Sequence, residues 1–415
     1  MGIPYLVASL AKAHKHIQQK CLPGTPLEVD CLGIDFNCFL HAYLEAGNPV
    51  GSIVTALEDL VTSVVRAKRV YIAFDGMVPY AKMVQQRYRR MRRPEGEPFG
   101  FDKHQLSPGT PFMRDLADTL RFLYPQVVIS DTLEPGEGEH KIFTWLRGLS
   151  PSDRMSTVIY GLDADLVVIS LAQNSLSPNL KLLREQEKGE YQTLNITALK
   201  DVLPCPVDEF VKMSLQFGND FMPNLAMFSL REDGYSRALF HLHKAPTPLD
   251  EKRVILKRAK ETDRRIVAPD GLALEPRMAC HLMDGVINWE PVCEAYWKTW
   301  QWVYHYFTTS EVLDWMWVYP YPEAPLLATL GEYDRPESFV WEHPTPPFSV
   351  SDQLQFILPA VSLAEAKLSP KYPDEIYDEA TETRHPWMRR FAWENDPWVS
   401  LPLGPMTTVG EYRWA

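Results

Sequence analysis

The chain has 415 residues and a formal net charge of −12 at pH 7, with 45% hydrophobic and 23% charged residues. The apolar content excludes an intrinsically disordered chain, and the acidity excludes a general DNA-coating protein whose affinity comes from overall positive charge. A local basic patch or bound cations remain compatible with nucleic-acid binding at one site.

Cysteine spacing and the apolar runs define the expected setting. None of the six cysteines forms a CxxC pair, so we expect neither a tight zinc cluster nor a disulfide framework. No run of about 18 apolar residues is present, and the N-terminus lacks the pattern of a signal peptide. We therefore expect an intracellular protein without a membrane partner, with the cytoplasm favoured over the nucleus.

The first 230 residues alternate short apolar runs with amphipathic or charged stretches. The runs that we interpret as strands are Val29–Ile34, Val70–Phe74, Val127–Ser130, Thr157–Tyr160 and Leu166–Leu171. This alternation predicts an α/β fold with a mostly parallel central sheet and helices on both faces. In such sheets, ligands bind beyond the carboxyl ends of the strands.

The remainder of the chain differs in composition. Residues 241–290 are mostly polar and mixed in charge, and we expect a connector or insertion there. Aromatic residues between 296 and 307 follow helical spacing, which is more typical of a core helix than of a binding face. The Pro-rich and aromatic-rich region 291–415 is expected to pack on a core domain formed by residues 1–240 and to wrap around it.

Acidic residues follow the predicted strands one after another. They are Asp35, Asp75, Asp131 and Asp163. A single Asp after a strand is usually a turn residue or a helix cap. Several at one sheet edge repel each other, by about 1 kcal/mol per pair at 4 Å in water and roughly 4 kcal/mol at an effective dielectric constant near 20. A cation is therefore expected among them.

Two further pairs of acids are spaced two residues apart. Asp163 and Asp165 would project to the same side of an extended segment. Glu137 and Glu139 are interleaved with glycines, which predict a loosened backbone that lets both side chains point one way. The helix of that segment is expected to begin after His140.

Asp220 completes the acidic set, because it follows a predicted helix at Val207–Phe217. Paired carboxylates without nearby His or Cys ligands suit Mg²⁺ or Mn²⁺. Two such ions held about 3.5–4 Å apart can activate a water molecule and stabilise the leaving oxygen of a phosphodiester. The alternative interpretation is a set of capping and turn acids, or a loop stabilised by Ca²⁺.

A basic segment at residues 79–93 carries six basic residues and no acid. Pro79 is well suited to the first turn of a helix. One face of that helix would present Lys82, Gln86, Arg89 and Arg90. Such a stripe can enclose a phosphate dianion, although a charged run can also be a solvated face. Because the run begins just after Asp75, a terminal phosphate held there would lie near the metals, as in a nuclease that starts cleavage at the end of a strand.

Taken together, these motifs resemble the XRN family of 5′→3′ exoribonucleases. The resemblance rests on the opening MGIPYL, on IDFNCFLH with Asp35, Asn37 and His41, and on AFDGMVPYAKMVQQRYRR, FDKHQLSPGTPFM, EPGEGEHKI, YGLDADLVVI, LLREQ, GNDFMP, DWMWVYPYPEAPLL and PPFSVSDQLQFILPA. The family usually has a long charged insertion after the basic helix, whereas only about a dozen residues occupy that place here. A compact member of the family, viral for example, would fit this length.

The resemblance implies a PIN/FEN-like nuclease core and a role for each motif. It implies that two ions, Mg²⁺ or Mn²⁺, are held by Asp35, Asp75, Glu137, Glu139, Asp163, Asp165 and Asp220. It implies a 5′-monophosphate pocket formed by Lys82, Gln86, Arg89 and Arg90. It also implies that His41 and either Trp315 or Trp317 stack on the terminal bases, and the sequence leaves the choice of Trp open.

The activity implied is that of a metal-dependent 5′→3′ exoribonuclease. It would degrade single-stranded RNA with a 5′-monophosphate processively to nucleoside monophosphates by two-metal hydrolysis. Two alternatives remain at this point: a flap-type, structure-specific DNA nuclease, and a catalytically silent RNA-binding protein on the same fold. The sequence leaves the protein partners unknown.

Overall fold

A seven-stranded sheet lies at the centre of the computed structural model. The residues that the structure describes are 2–3, 5–44, 48–91, 102–187, 189–231, 234–242, 244–254, 289–321 and 324–371. The strands are β1 (Gln18–Lys20), β2 (Leu27–Asp35), β3 (Val65–Ala73), β4 (Val128–Ser130), β5 (Ser156–Tyr160), β6 (Asn179–Glu187) and β7 (Glu190–Asn195). Their spatial order is β1-β7-β6-β5-β2-β3-β4. The five strands from β6 to β4 are parallel, and β7 and β1 add antiparallel pairs. The predicted mostly parallel sheet is confirmed.

Helices cover both faces of this sheet. In chain order they are α1 (Leu6–Ala13), α2 (Phe36–Tyr43), α3 (Pro49–Asp59), α4 (Tyr80–Met91), α5 (Pro111–Leu123), α6 (Gly138–Gly148), α7 (Asp165–Ala172), α8 (Ile196–Asp201), α9 (Val207–Leu215), α10 (Ser236–His241), α11 (Glu290–Thr309), α12 (Leu327–Glu332), α13 (Val350–Ile357) and α14 (Ala360–Glu365). Residues 248–254 are helical as well. One core lies between the sheet and α2, α3 and α5, and the other between the sheet and α1, α6, α7, α8, α9 and α11.

The central strand β2 shows how the sheet is built into both cores. Leu32 and Ile34 point to the core with α2, α3 and α5, and Cys31 points to the opposite core. Gly33 faces α6, where an added Cβ would lie 2.5 Å from Cγ2 of Ile142. A glycine at this position therefore lets α6 approach the sheet closely, which sets the position of the first turn of α6.

The predicted strand at Leu166–Leu171 is wrong, because these residues belong to α7. The run is apolar without a break, and burial on all sides removes the periodicity that distinguishes a helix from a strand. After β5 the chain turns through residues 161–164, and α7 then packs against α9 and α11. Every side chain from Asp165 to Leu171 is buried.

The other predicted helices are present. The basic helix α4 begins at Tyr80, directly after Pro79, and α9 covers most of the predicted Val207–Phe217. The aromatic segment forms α11, whose buried face includes Trp302 and Phe307, in agreement with a core role.

The C-terminal region packs against α4. Val78, Tyr80 and Met83 form a small apolar core with α13 and α14. The buried Arg87 donates a hydrogen bond to the carbonyl oxygen of Phe356. Residues 255–288 of the predicted connector and residues 372–415 of the predicted wrapping region lie outside the described residues. Within the part of the chain that is described, no helix combines the length and apolar character needed to cross a bilayer.

The close approach of α6 to β2 predicts a large effect of one methyl group. Gly33→Ala should lower the free energy of unfolding by about 1–3 kcal/mol, because the new Cβ would overlap Ile142 in a close-packed core. Gly148→Ala, at the end of α6 with no atom within 4 Å of the added Cβ, is the control and should stay within about 0.5 kcal/mol of the parent or be more stable. Urea denaturation of both variants measures the difference. Equal stabilities would contradict the packing described for β2 and α6.

Candidate active site

Acidic side chains converge at the carboxyl ends of three adjacent parallel strands. Asp35 is the last residue of β2, Asp75 follows the end of β3 by two residues, and Asp163 follows the end of β5 by three. Because β3, β2 and β5 are neighbours in the sheet, these acids meet at one edge. The beginning of α6 brings Glu137 and Glu139 to the same edge.

Three of the acids form a group with the spacing of metal ligands. Asp35, Asp75 and Glu139 each offer a carboxylate oxygen, and these oxygens lie within 4.8 Å of one another. The backbone N–H of Gly138 donates to Oδ1 of Asp75 at 2.8 Å, and the N–H of Cys38 donates to Oδ1 of Asp35 at 3.3 Å. An all-oxygen set held in this way fits a hard divalent cation such as Mg²⁺ or Mn²⁺.

Burial and mutual repulsion raise the pKa values of several acids in the cluster. Burial, reinforced by the charges of Asp75 and Asp163, raises the pKa of Asp35 well above its usual range. Burial and the neighbouring Glu137 and Asp35 do the same to Glu139. Burial, Asp163 and Asp220 raise the pKa of Asp165 to about 7. Burial is the largest cause of each of these pKa shifts, and repulsion between the carboxylates adds to it.

A lysine lies inside the acidic cluster. The ammonium nitrogen of Lys82 is 2.5 Å from Oε2 of Glu137 and 2.8 Å from Oδ2 of Asp220, and all three side chains are buried. Burial disfavours the charged form, but Asp220 and Glu137 outweigh it and raise the pKa of Lys82 well above its usual value. Lys82 was predicted to belong to a phosphate pocket. Its position makes that predicted pocket contiguous with the acids.

The other members of the basic stripe are placed only in part. Gln86 is buried on α4, and its Oε1 atom has no hydrogen-bond partner among the described residues. Nε of Arg90 donates to Oγ of Ser107 at 2.8 Å. Arg89 belongs to α4, but its side chain lies outside the described residues. A pocket shared by all four side chains therefore stays a prediction.

The Asp163–Asp165 pair does not lie on an extended segment, in contrast to the sequence-based expectation. Asp165 is the first residue of α7, and Asp163 is in the turn before it. Gly2, with a φ of +51°, packs directly against Asp165, since a Cβ on Gly2 would lie 2.6 Å from Oδ1 of Asp165. This contact gives a structural reason for the glycine in the MGIPYL opening.

The start of α6 also differs from the expectation. The helix begins at Gly138 rather than after His140, so Glu139 lies in its first turn and Glu137 is the residue that precedes it. Gly138 leaves room for Asp35, whose Oδ1 would be 3.0 Å from an added Cβ. The predicted effect, both glutamates at one site, is consistent with this geometry. The cause is the start of α6 at Gly138, and the predicted loosened backbone is not needed to explain it.

The proposed stacking residues lie in different environments. His41 is exposed in the last turn of α2, the helix that begins directly after Asp35. Trp315 is buried and lines a cavity of about 990 Å³ together with His140 and Tyr306. Trp317 donates from Nε1 to Oγ1 of Thr299 at 3.0 Å and so packs on α11. Of the two tryptophans, only Trp315 lines this cavity, whose wall also includes Tyr306, the hydrogen-bond partner of Glu137.

Sequence reasoning missed two residues that support the site. The hydroxyl of Tyr306 on α11 donates to Oε1 of Glu137 at 3.0 Å. The ammonium of Lys141 on α6 donates to the carbonyl oxygens of Phe74 and Asp131, at 2.9 and 2.8 Å, which ties the end of β3 to the loop after β4. Lys141 was visible only as part of the EPGEGEHKI motif, and Tyr306 only as one of many aromatic residues in a helix. Asp131 itself forms an ion pair with Arg121.

The raised pKa values predict how stability depends on pH in the absence of metal. A carboxyl group with a higher pKa in the folded than in the unfolded state contributes stability below its unfolded pKa, about 4, and loses it as pH rises through its folded pKa, about 7 for Asp165. With chelator present, the Tm should therefore fall between about pH 4 and pH 7. In Asp165→Asn the fall should be smaller, and Mg²⁺ should reduce it in the parent. Thermal unfolding across this range measures the slope, and an identical slope in both proteins would contradict the description of Asp165.

Comparisons with known proteins agree with the arrangement of motifs. Residues 1–97 and 94–186 match the family described as XRN 5′-3′ exonuclease N-terminus. The chain is 27% identical over 311 residues to 5′-3′ exoribonuclease 1 of Saccharomyces cerevisiae, covering 57% of this chain and 20% of that protein. It is 27% identical over 400 residues to 5′-3′ exoribonuclease 2 of Emericella nidulans, covering 63% and 38% respectively. The chain thus spans about a fifth to two fifths of the length of these relatives.

Among solved structures, the catalytic core of Rad2 in complex with DNA substrate is similar, with a TM-score of 0.40 and 14% identity over 90% of this chain and 98% of that chain. The family match covers the acidic motifs from Asp35 to Asp165 and the basic helix in one continuous region. Residues 1–186 therefore carry the region that the XRN 5′-3′ exonuclease family has at its N-terminus, and the chain is similar to 5′-3′ exoribonucleases.

Proposed function

We propose that the protein is a divalent-metal-dependent 5′→3′ exoribonuclease that degrades single-stranded RNA bearing a 5′-monophosphate. The observation that carries the proposal is the contact between the basic helix and the acidic cluster, made by Lys82 with Glu137 and Asp220. This contact places the basic helix, proposed to bind the terminal phosphate, directly beside the acids proposed to bind the metal ions. The match of residues 1–186 to the XRN family and the similarity to 5′-3′ exoribonucleases support the reaction class and the polarity of cleavage.

The carboxylate group supports metal-assisted hydrolysis. Bound Mg²⁺ or Mn²⁺ ions, two in the proposal, would supply an activated water and stabilise the charge that develops on the leaving oxygen. Asp35, Asp75 and Glu139 would hold one ion through oxygens that already lie within 4.8 Å of one another. The second ion would be held by Asp163, in the turn after β5, by Asp165, the first residue of α7, and by Asp220, in the segment after α9.

The basic helix supports recognition of the 5′ end. Lys82 and Gln86 lie on the same side of α4, four residues apart, and both are buried. Lys82 contacts the acids Glu137 and Asp220. A terminal phosphate bound there would place the first phosphodiester near the carboxylates, and a cap would be too bulky for so enclosed a site. His41 and Trp315 would stack on the first bases, each contributing about 1–3 kcal/mol. Repeated binding of the new 5′-monophosphate would make degradation processive.

The experiment that tests the proposal compares substrates. The purified protein is incubated with single-stranded RNA carrying a 5′-monophosphate or a 5′-hydroxyl, and with a branched DNA flap, each with Mg²⁺ or with chelator. We expect nucleoside 5′-monophosphates from the first RNA only, and none with chelator. Preferred cleavage of the flap would favour a structure-specific DNA nuclease. RNA binding without cleavage would favour a silent RNA-binding protein, and either result would overturn the proposal.

Replacing one metal-site acid should separate catalysis from folding. Asp35→Asn should lower the cleavage rate by at least about 100-fold, because it removes a charge from the proposed metal ligands. The fold should be retained, since Asn caps a helix as well as Asp and can accept the hydrogen bond from the N–H of Cys38. Single-turnover cleavage and RNA binding measure the two effects.

The matched control is Asp131→Asn. Asp131 also follows a strand of the sheet, but its carboxylate pairs with Arg121 on α5. This variant should cleave at the parent rate. If Asp35→Asn retained activity, or if both variants lost it equally, the assignment of Asp35 to the metal site would be wrong.

A further inference from the structure

Glu137 is held at both of its carboxylate oxygens by residues from different parts of the chain. Oε2 accepts from the ammonium of Lys82 on α4 at 2.5 Å. Oε1 accepts from the hydroxyl of Tyr306 on α11 at 3.0 Å. A carboxylate with a donor on each oxygen has a fixed orientation, because rotation about its last side-chain bond would break at least one of the two contacts.

Tyr306 is itself fixed in place. The residue is fully buried on α11, and its ring stacks on the ring of His140 with the centroids 3.6 Å apart. Phe221, next to the predicted metal ligand Asp220, packs edge-on against the same ring. The ring therefore has little freedom, and its hydroxyl is directed at Glu137.

A second tyrosine of α11 shows that burial alone does not explain this contact. Tyr296 is also fully buried, and its hydroxyl has no hydrogen-bond partner among the described residues. A buried hydroxyl without a hydrogen-bond partner lowers stability, so the contribution of Tyr296 to the core comes from its ring alone. Tyr306 differs because its hydroxyl has a charged partner in the acidic cluster.

We propose that Tyr306 is a positioning residue for the metal site, which acts by orienting Glu137. The proposal rests on the proposed function, since it assigns Tyr306 a role toward the divalent cations. Glu137 and Glu139 offer ligand atoms within 4.8 Å of one another, so the orientation of Glu137 determines the shape of the site next to Glu139. The consequence is that α11, outside the region that carries all seven acids, contributes to metal affinity.

The test removes the hydroxyl and keeps the ring. In Tyr306→Phe, the Kd for Mn²⁺ measured by calorimetry should rise about tenfold, as is typical when a hydrogen-bond partner of a metal ligand is removed. The Mg²⁺ concentration for half-maximal RNA cleavage should rise by a similar factor, with the rate recovering at saturating Mg²⁺. Tyr296→Phe is the matched control on the same helix and should leave the Mn²⁺ Kd unchanged.

The possible outcomes separate this inference from the proposed function. A Tm lowered in Tyr306→Phe, together with a Mn²⁺ Kd within twofold of the parent, would show a purely structural role and overturn the inference. A parent that binds Mn²⁺ but does not cleave RNA would overturn the proposed function, and the comparison of the two Kd values would still decide the role of Tyr306. A parent that binds no Mn²⁺ would overturn both.

Discussion

The concentration of carboxylates at one buried edge of a parallel sheet is the constraint on which this protein depends. Parallel strands end side by side, so acids that follow β2, β3 and β5 are brought together whatever their mutual repulsion. Burial strengthens that repulsion because it removes the screening by water. Lys82 compensates part of the charge through Glu137 and Asp220. The remaining negative charge is what the proposed divalent cations would neutralise.

Elements in the C-terminal part of the described chain hold the acidic edge in place, because they form hydrogen bonds to the segments that carry the acids. Gln353 on α13 is fully buried, accepts from the N–H of Val78 at 2.9 Å and donates to the carbonyl of Gly76 at 3.3 Å. It thereby holds the loop that directly follows Asp75. Tyr306 on α11 acts at the other side of the cluster. The acids come from the first 220 residues, and their geometry depends on elements after residue 290.

Sequence patterns predicted those features that are local or that follow from strand topology. The alternation of apolar runs predicted the parallel sheet, and the position of Asp35 after a strand is enough to place it at the sheet edge. Leu166–Leu171 was assigned wrongly because a helix buried on every side has no polar face to reveal its period. Lys82 and Tyr306 could not be placed among the acids, because their positions depend on how α4 and α11 pack, and packing of distant elements leaves no local pattern.

Anomalous diffraction from crystals of the parent protein grown with Mn²⁺ tests the central claim most directly. We predict two Mn²⁺ peaks at the carboxyl edge of the sheet, one of them coordinated by Asp35, Asp75 and Glu139. No peak at this edge under saturating Mn²⁺, or ions bound only elsewhere, would contradict the account.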